Sequence, residues 1–173
     1  MVKNTCCFIG HRAILESEQL KTQLCEIIEK LIVEKKVDTF LFGSKSQFNS
    51  LCLELVTKLK EKYPHIKRVY VRAEYPYINE QYKNYLLESY EDTYYPENIM
   101  NSRRASYVER NYEMINKSSF CIFYYNYQIA SMVGKSGTRI AFNYAVKQGK
   151  RIINMGMGKE YYYLGKNTNI VEW

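Results

Sequence analysis

Histidine, tryptophan and proline are scarce in this chain: two, one and three residues respectively among 173. Two histidines and five cysteines without Cys-x-x-Cys spacing leave no ligand set for zinc, and neither a metal nor a cofactor is expected. The cysteines lie in apolar runs, Cys6, Cys7 and Cys121 in strand-like stretches and Cys25 and Cys52 at apolar helix positions. They read as reduced, buried small hydrophobes of a cytosolic protein. With few prolines and no low-complexity stretch there is no linker, so residues 1–173 read as one domain whose 46% hydrophobic content supports a full core. No apolar run approaches the roughly 20 residues that cross a bilayer, and Met1-Val2-Lys3-Asn4 leads straight into the first strand without a signal-peptide profile. The expectation is a cytoplasmic protein with no membrane partner. Neither the eight-residue P-loop nor a dinucleotide Gly-x-Gly-x-x-Gly occurs.

Positive charge and tyrosine are abundant. The net charge of +7 points to an anionic partner, but the lysines and arginines are interspersed among 18 acidic residues and form no basic block. That pattern favours a nucleotide or another small anion and argues against nucleic acid. Eighteen tyrosines offer flat faces for stacking a base; the alternative is amphipathic core edge and subunit contact.

Along the chain, apolar runs alternate with amphipathic stretches. Strands are predicted at 5–9, 39–42, 66–71, 120–125 and 151–155. A helix over 17–36 carries Leu20, Leu24, Ile27, Ile28, Leu31 and Ile32 on one stripe, with Ser17 as its N-cap. Further helices carry Leu51, Cys52, Leu55, Val56 and Leu59, then span 102–117 with Ala105, Val108, Tyr112 and Ile115 on one face, and 139–148. Residues 75–100 form a Tyr-rich segment with a helix at 80–91, the rest a loop of the kind that serves as lid or contact surface; 126–133 is a loop, and 156–173 a small hairpin or a tail. This alternation predicts a mostly parallel five-stranded sheet with helices on both faces.

Ligands of such sheets bind beyond the carboxyl ends of the strands. Four segments fall at that edge. Gly134-Lys135-Ser136-Gly137-Thr138 is a small-residue turn opening a helix, where unpaired amides and the helix dipole suit a phosphate, or an ordinary loop and N-cap. Gly43-Ser44-Lys45-Ser46 repeats the arrangement as a second anion cradle, and Gly10-His11-Arg12 and Arg72-Ala73-Glu74 end the first and third strands.

These residues resemble a known family. The Cys-Cys-Phe-Ile-Gly-His-Arg opening, the Phe-Gly-Ser turn, and Glu109-Arg110 with Glu113-Met114 followed one strand later by Gly-Lys-Ser-Gly-Thr are similar to the SLOG superfamily of Rossmann-like nucleotide-binding proteins. That superfamily includes the Lonely Guy phosphoribohydrolases, DprA and nucleotide-sensing domains of bacterial antiphage systems. The resemblance covers roughly residues 5–155 and is closest to small stand-alone bacterial and phage members. It implies a Rossmann-like three-layer sandwich, a nucleotide ligand of adenine or ADP-ribose type, and a homo-oligomer. The family's arginine falls on Arg110 and its Gly-Thr on Gly137-Thr138, whereas its catalytic glutamate falls on Ala141 and the lysine after its arginine on Asn111. Alanine can neither stabilise a cationic sugar nor position water.

Two functions follow from the resemblance. The first is a nucleotide sensor or sequestering protein, in antiphage defence or phage counter-defence, with Gly10, His11, Arg12, Gly43, Ser44, Arg72, Glu74, Arg110, Gly134, Ser136, Gly137 and Thr138 as the binding set. The second is a nucleoside monophosphate hydrolase using Glu74 or Glu109 as a substitute carboxylate. Arg110 either meets a phosphate or pairs with Glu109 or Glu113 on the helix surface; Arg72 and Glu74 read a ribose or phosphate, or form a solvated salt bridge.

Overall fold

The computed structural model describes residues 4–132 and 136–156, together with the backbone of a strand at 162–164. Its elements are β1 (Thr5–Gly10), α1 (Glu18–Val33), β2 (Thr39–Phe42), α2 (Gln47–Lys62), β3 (Lys67–Val71), α3 (Glu80–Leu87), β4 (Asp92–Tyr94), α4 (Arg104–Asn116), β5 (Phe120–Tyr124), α5 (Tyr127–Met132), α6 (Gly137–Lys147), β6 (Arg151–Asn154) and β7 (Tyr162–Leu164). The strands form one sheet in the order β4-β3-β2-β1-β5-β6-β7, parallel except for β7, which runs antiparallel to β6.

Successive residues of β1 feed opposite faces, as the two-residue period of a strand requires. Cys6 and Phe8 join the core under α1 and α2, with Phe40, Phe42, Leu24, Ile28 and Leu51. Cys7 and Ile9 join the core under α4 and α6, with Leu41, Phe123, Met114 and Ala141. A strand buried on both faces has no polar side, which is why β1, β2 and β5 read as unbroken apolar runs. Ser17 caps α1, its Oγ accepting from Leu20 N at 3.0 Å. Strand order reverses between β1 and β5, the place where the crossovers diverge and leave a crevice beyond the strand ends.

The sheet is wider than the five strands expected. The segment 75–100 contributes β4, a three-residue strand beside β3. No hydrophobic run announces it; Arg68 and Glu91 hold it, with Nη2 to Oε2 at 2.6 Å and Arg68 N donating to Glu91 Oε1 at 2.8 Å. Its helix α3 ends at Leu87, shorter than expected. Residues 126–133 were expected to be a loop; they include α5, because the Asn126 carboxamide accepts from Gln128 N and Ile129 N and starts a helical turn. The buried face of α4 is Ser106, Arg110, Met114 and Ile115, rotated from the apolar face expected from Ala105, Val108 and Tyr112. Polar side chains face inwards on this helix because it roofs a cleft.

One buried carboxamide ties the strand ends together. Asn49, 3% exposed, accepts from Gly43 N at 3.2 Å and donates to Phe8 O at 3.2 Å, joining α2 to the ends of β1 and β2. Removing it strands a buried donor and a buried acceptor. Asn49→Ala is expected to lower unfolding free energy by about 1–3 kcal/mol in urea titrations; a change within about 0.5 kcal/mol, ordinary for an inert surface site, would contradict this role.

Candidate functional site

Above the reversal point lies a cleft of about 690 Å³, within the size range of small-molecule sites. Gly10, His11, Arg12, Gly43, Ser44, Arg72, Glu74, Arg110, Ser136, Gly137 and Thr138 all line it. Gly134 and Lys135 fall outside the described residues. Glu109 is not at the cleft: its carboxylate accepts from Met100 N and Asn101 Nδ2 at 2.5 and 2.6 Å, which also holds its pKa below the ordinary carboxylate value. Ala141 is fully buried in the apolar core under the sheet.

Arg110 is the chemically unusual group. It is 6% exposed, yet among the described residues no carboxylate lies within ion-pair distance of it. Its Nε donates to Asn111 Oδ1 at 3.2 Å, and its guanidinium carbon stands 5.5 Å from the Tyr107 ring centre. Desolvation pulls its pKa down to about 10. The pairing with Glu109 or Glu113 considered for it does not occur, because the side chain points inwards along the stripe of Ser106 and Met114. Gly43 makes the room: a methyl group there would lie 2.6 Å from Arg110 Cδ and 2.5 Å from Met114 Sδ.

The two small-residue turns differ. At Gly43–Ser46 two amides are used within the fold, Gly43 N on Asn49 Oδ1 and Ser46 N on Ser44 Oγ at 3.3 Å, while Ser44 N and Lys45 N have no partner among the described residues. This turn lines the cleft as well, where a second anion cradle was expected. At the start of α6, Ser136 caps the helix by accepting from Arg139 N at 3.1 Å, while Gly137 N and Thr138 N have no partner among the described residues. A side chain at Gly137 would meet nothing within 4 Å, so there is room beside this turn.

Other predicted residues have structural duties. Arg72 donates to Tyr75 O, Pro76 O and Thr93 Oγ1, holding the loop after β3, and burial lowers its pKa. Glu74 accepts from the Tyr107 hydroxyl. His11 accepts at Nε2 from Asn126 N at 2.9 Å, which leaves the neutral ring's proton on Nδ1. Burial pushes its pKa below the ordinary value, against the smaller opposite pull of the Asn126 carbonyl 3.2 Å away.

Sequence reasoning did not single out Tyr70, Tyr75, Tyr82 and Tyr107, which line the β3 side of the cleft. They come from β3, the loop after it, α3 and α4, and no local pattern distinguishes them from the other tyrosines. Arg12 and Lys45 stand exposed at the mouth.

Comparison with protein families and with curated proteins finds no match. Among solved structures the chain is similar to DNA processing protein A from Helicobacter pylori, whose structure is described by its single-stranded DNA binding mode. The TM-score is 0.56 at 14% identity, over 88% of this chain and 65% of that one. The likeness is one of fold, a Rossmann-like α/β arrangement. It corrects the expectation that nucleic acid is not a partner, since a protein of this fold binds single-stranded DNA. That expectation rested on charge scattered along the sequence, whereas folding gathers Arg12, Lys45, Arg72 and Arg110 with four tyrosines into one cleft, the combination that single strands use. Among the described residues no helix is long and apolar enough to cross a membrane.

His11 gives a pH signature. Its pKa is lower folded than unfolded, so it adds stability above about pH 6.5, its unfolded value, and that contribution is lost as pH falls through the folded value. Between about pH 7 and 5 the wild type is expected to lose more stability than His11→Gln. Parallel pH profiles in urea denaturation would contradict the assignment.

Proposed function

We propose that the cleft binds a nucleotide, with the phosphate held between the Gly137 and Thr138 amides and the Arg110 guanidinium, and the base among the tyrosines. The observation that carries this reading is Arg110. A guanidinium withdrawn from water without a carboxylate costs several kcal/mol, and a ligand anion would offset that cost. Two amides at a helix start, without a partner among the described residues, would form a complementary phosphate cradle, and aromatic faces suit a base. Membership of the SLOG superfamily, and a sensing or sequestering role in antiphage defence or its counter, belong to this same reading.

The placement of the carboxylates supports binding without turnover. Glu109 is bonded to the 100–101 backbone and amide, Glu74 to Tyr107, and residue 141 is a core alanine. None is free beside Gly137 and Thr138 to stabilise a cationic sugar. Incubation with AMP and other nucleoside monophosphates should release no free base; release at rates of order 1 s⁻¹, ordinary for an enzyme, would favour the hydrolase reading. A second reading, a nucleotide of a DNA single strand in the same cleft, is supported by the likeness to a single-stranded-DNA-binding protein.

Arg110→Met tests the proposal because its two effects are opposite in sign. Removing a buried cation that has no ion pair among the described residues should raise the melting temperature of the free protein, while loss of the charge-assisted contact should weaken nucleotide binding by about 1.5–3 kcal/mol. Arg12→Ala is expected to weaken binding through the same kind of contact. Calorimetry in which Arg110→Met binds nucleoside monophosphates like wild type would remove Arg110 from the site.

A further inference from the structure

The groups lining the cleft follow the order of the strands. Glu74 follows β3, Arg110 lies over Gly43 at the end of β2, Gly10 ends β1, and α6 packs on β5 and β1 with Gly137 and Thr138 of its first turn lining the cleft. Neighbouring strands are about 4.8 Å apart, so Glu74 lies roughly 10 Å from the β1 end of the cleft. That is the span, across one ribose, from a nucleotide's phosphate to the far edge of its base. Glu74 also shares its part of the wall with Tyr70, Tyr75, Tyr82 and Tyr107. It is the only carboxylate among the described lining residues, and a carboxylate there repels phosphate and can only accept hydrogen bonds. The Tyr107 hydroxyl donates to one of its oxygens and so restrains the carboxylate, leaving lone pairs on both oxygens.

We infer that Glu74 reads the base, and that the base is guanine. This rests on the nucleotide reading above. Guanine is the one common base whose pairing edge carries two adjacent donors, N1–H and the N2 amine, matching the two oxygens of a carboxylate. Adenine offers one donor on that edge, N6, beside an N1 lone pair that the carboxylate repels. A carboxylate on an aromatic-walled cleft therefore selects guanine over adenine, in place of the adenine-type ligand that the resemblance implied.

Calorimetry with GMP, IMP and AMP on wild type and Glu74→Gln tests this. Wild type should bind GMP about tenfold or more tighter than AMP, the scale of one bidentate base contact, with IMP between them because inosine lacks the N2 amine. Glu74→Gln, at an exposed position whose amide oxygen can still accept from Tyr107, should bring GMP and AMP within about threefold of each other. Wild type binding AMP as tightly as GMP, or a preference that survives Glu74→Gln, would overturn the guanine assignment while leaving nucleotide binding intact. Failure of all three nucleotides to bind would overturn both.

Discussion

A guanidinium buried with no carboxylate at ion-pair distance among the described residues is the constraint around which this molecule is arranged. Among the described residues Arg110 has one hydrogen bond, to a carboxamide oxygen, the face of a tyrosine, and the longer-range attraction of Glu74. Keeping it there requires a glycine at the end of β2, a methionine one helical turn further along α4, and a helix whose buried stripe runs Ser106, Arg110, Met114. A protein selected for stability alone would replace such a cation with an apolar side chain. Arg110 lines the same cleft as Gly137 and Thr138, whose amides have no partner among the described residues.

The fold supplies the rigid ground on which that cation stands. β1 and β2 are buried on both faces, and Asn49 joins their ends to α2 through the Phe8 carbonyl and the Gly43 amide. Reversal of strand order between β1 and β5 then opens the sheet edge where Gly10, Gly43 and the start of α6 converge. Gly43 N and Ser46 N in the turn after β2 are bonded within the fold, and Ser136 Oγ caps α6 through Arg139 N.

The architecture was legible where the physics is local. Doubly buried strands appear as unbroken apolar runs, and α1 is marked by its stripe and its serine cap. Small-residue turns at strand ends likewise pointed to one edge of the sheet. β4 was not legible, because an ion pair from Arg68 to Glu91 holds it and three residues carry no period. Arg110 was ambiguous because a helix surface with acidic neighbours looks the same in sequence whether its arginine points out or in. The tyrosine wall was hidden because its members come from four separate elements, and the charge was misjudged because separation along the chain says nothing about convergence in space.

Whether a ligand anion compensates Arg110 can be seen directly in a crystal structure with a nucleoside monophosphate bound. The account predicts phosphate oxygens within hydrogen-bonding distance of the Arg110 guanidinium and of the Gly137 and Thr138 amides, with the base between the tyrosines on the β3 side. A nucleotide bound elsewhere on the molecule, or Arg110 engaged by a carboxylate of the protein while the phosphate lies away from it, would contradict it.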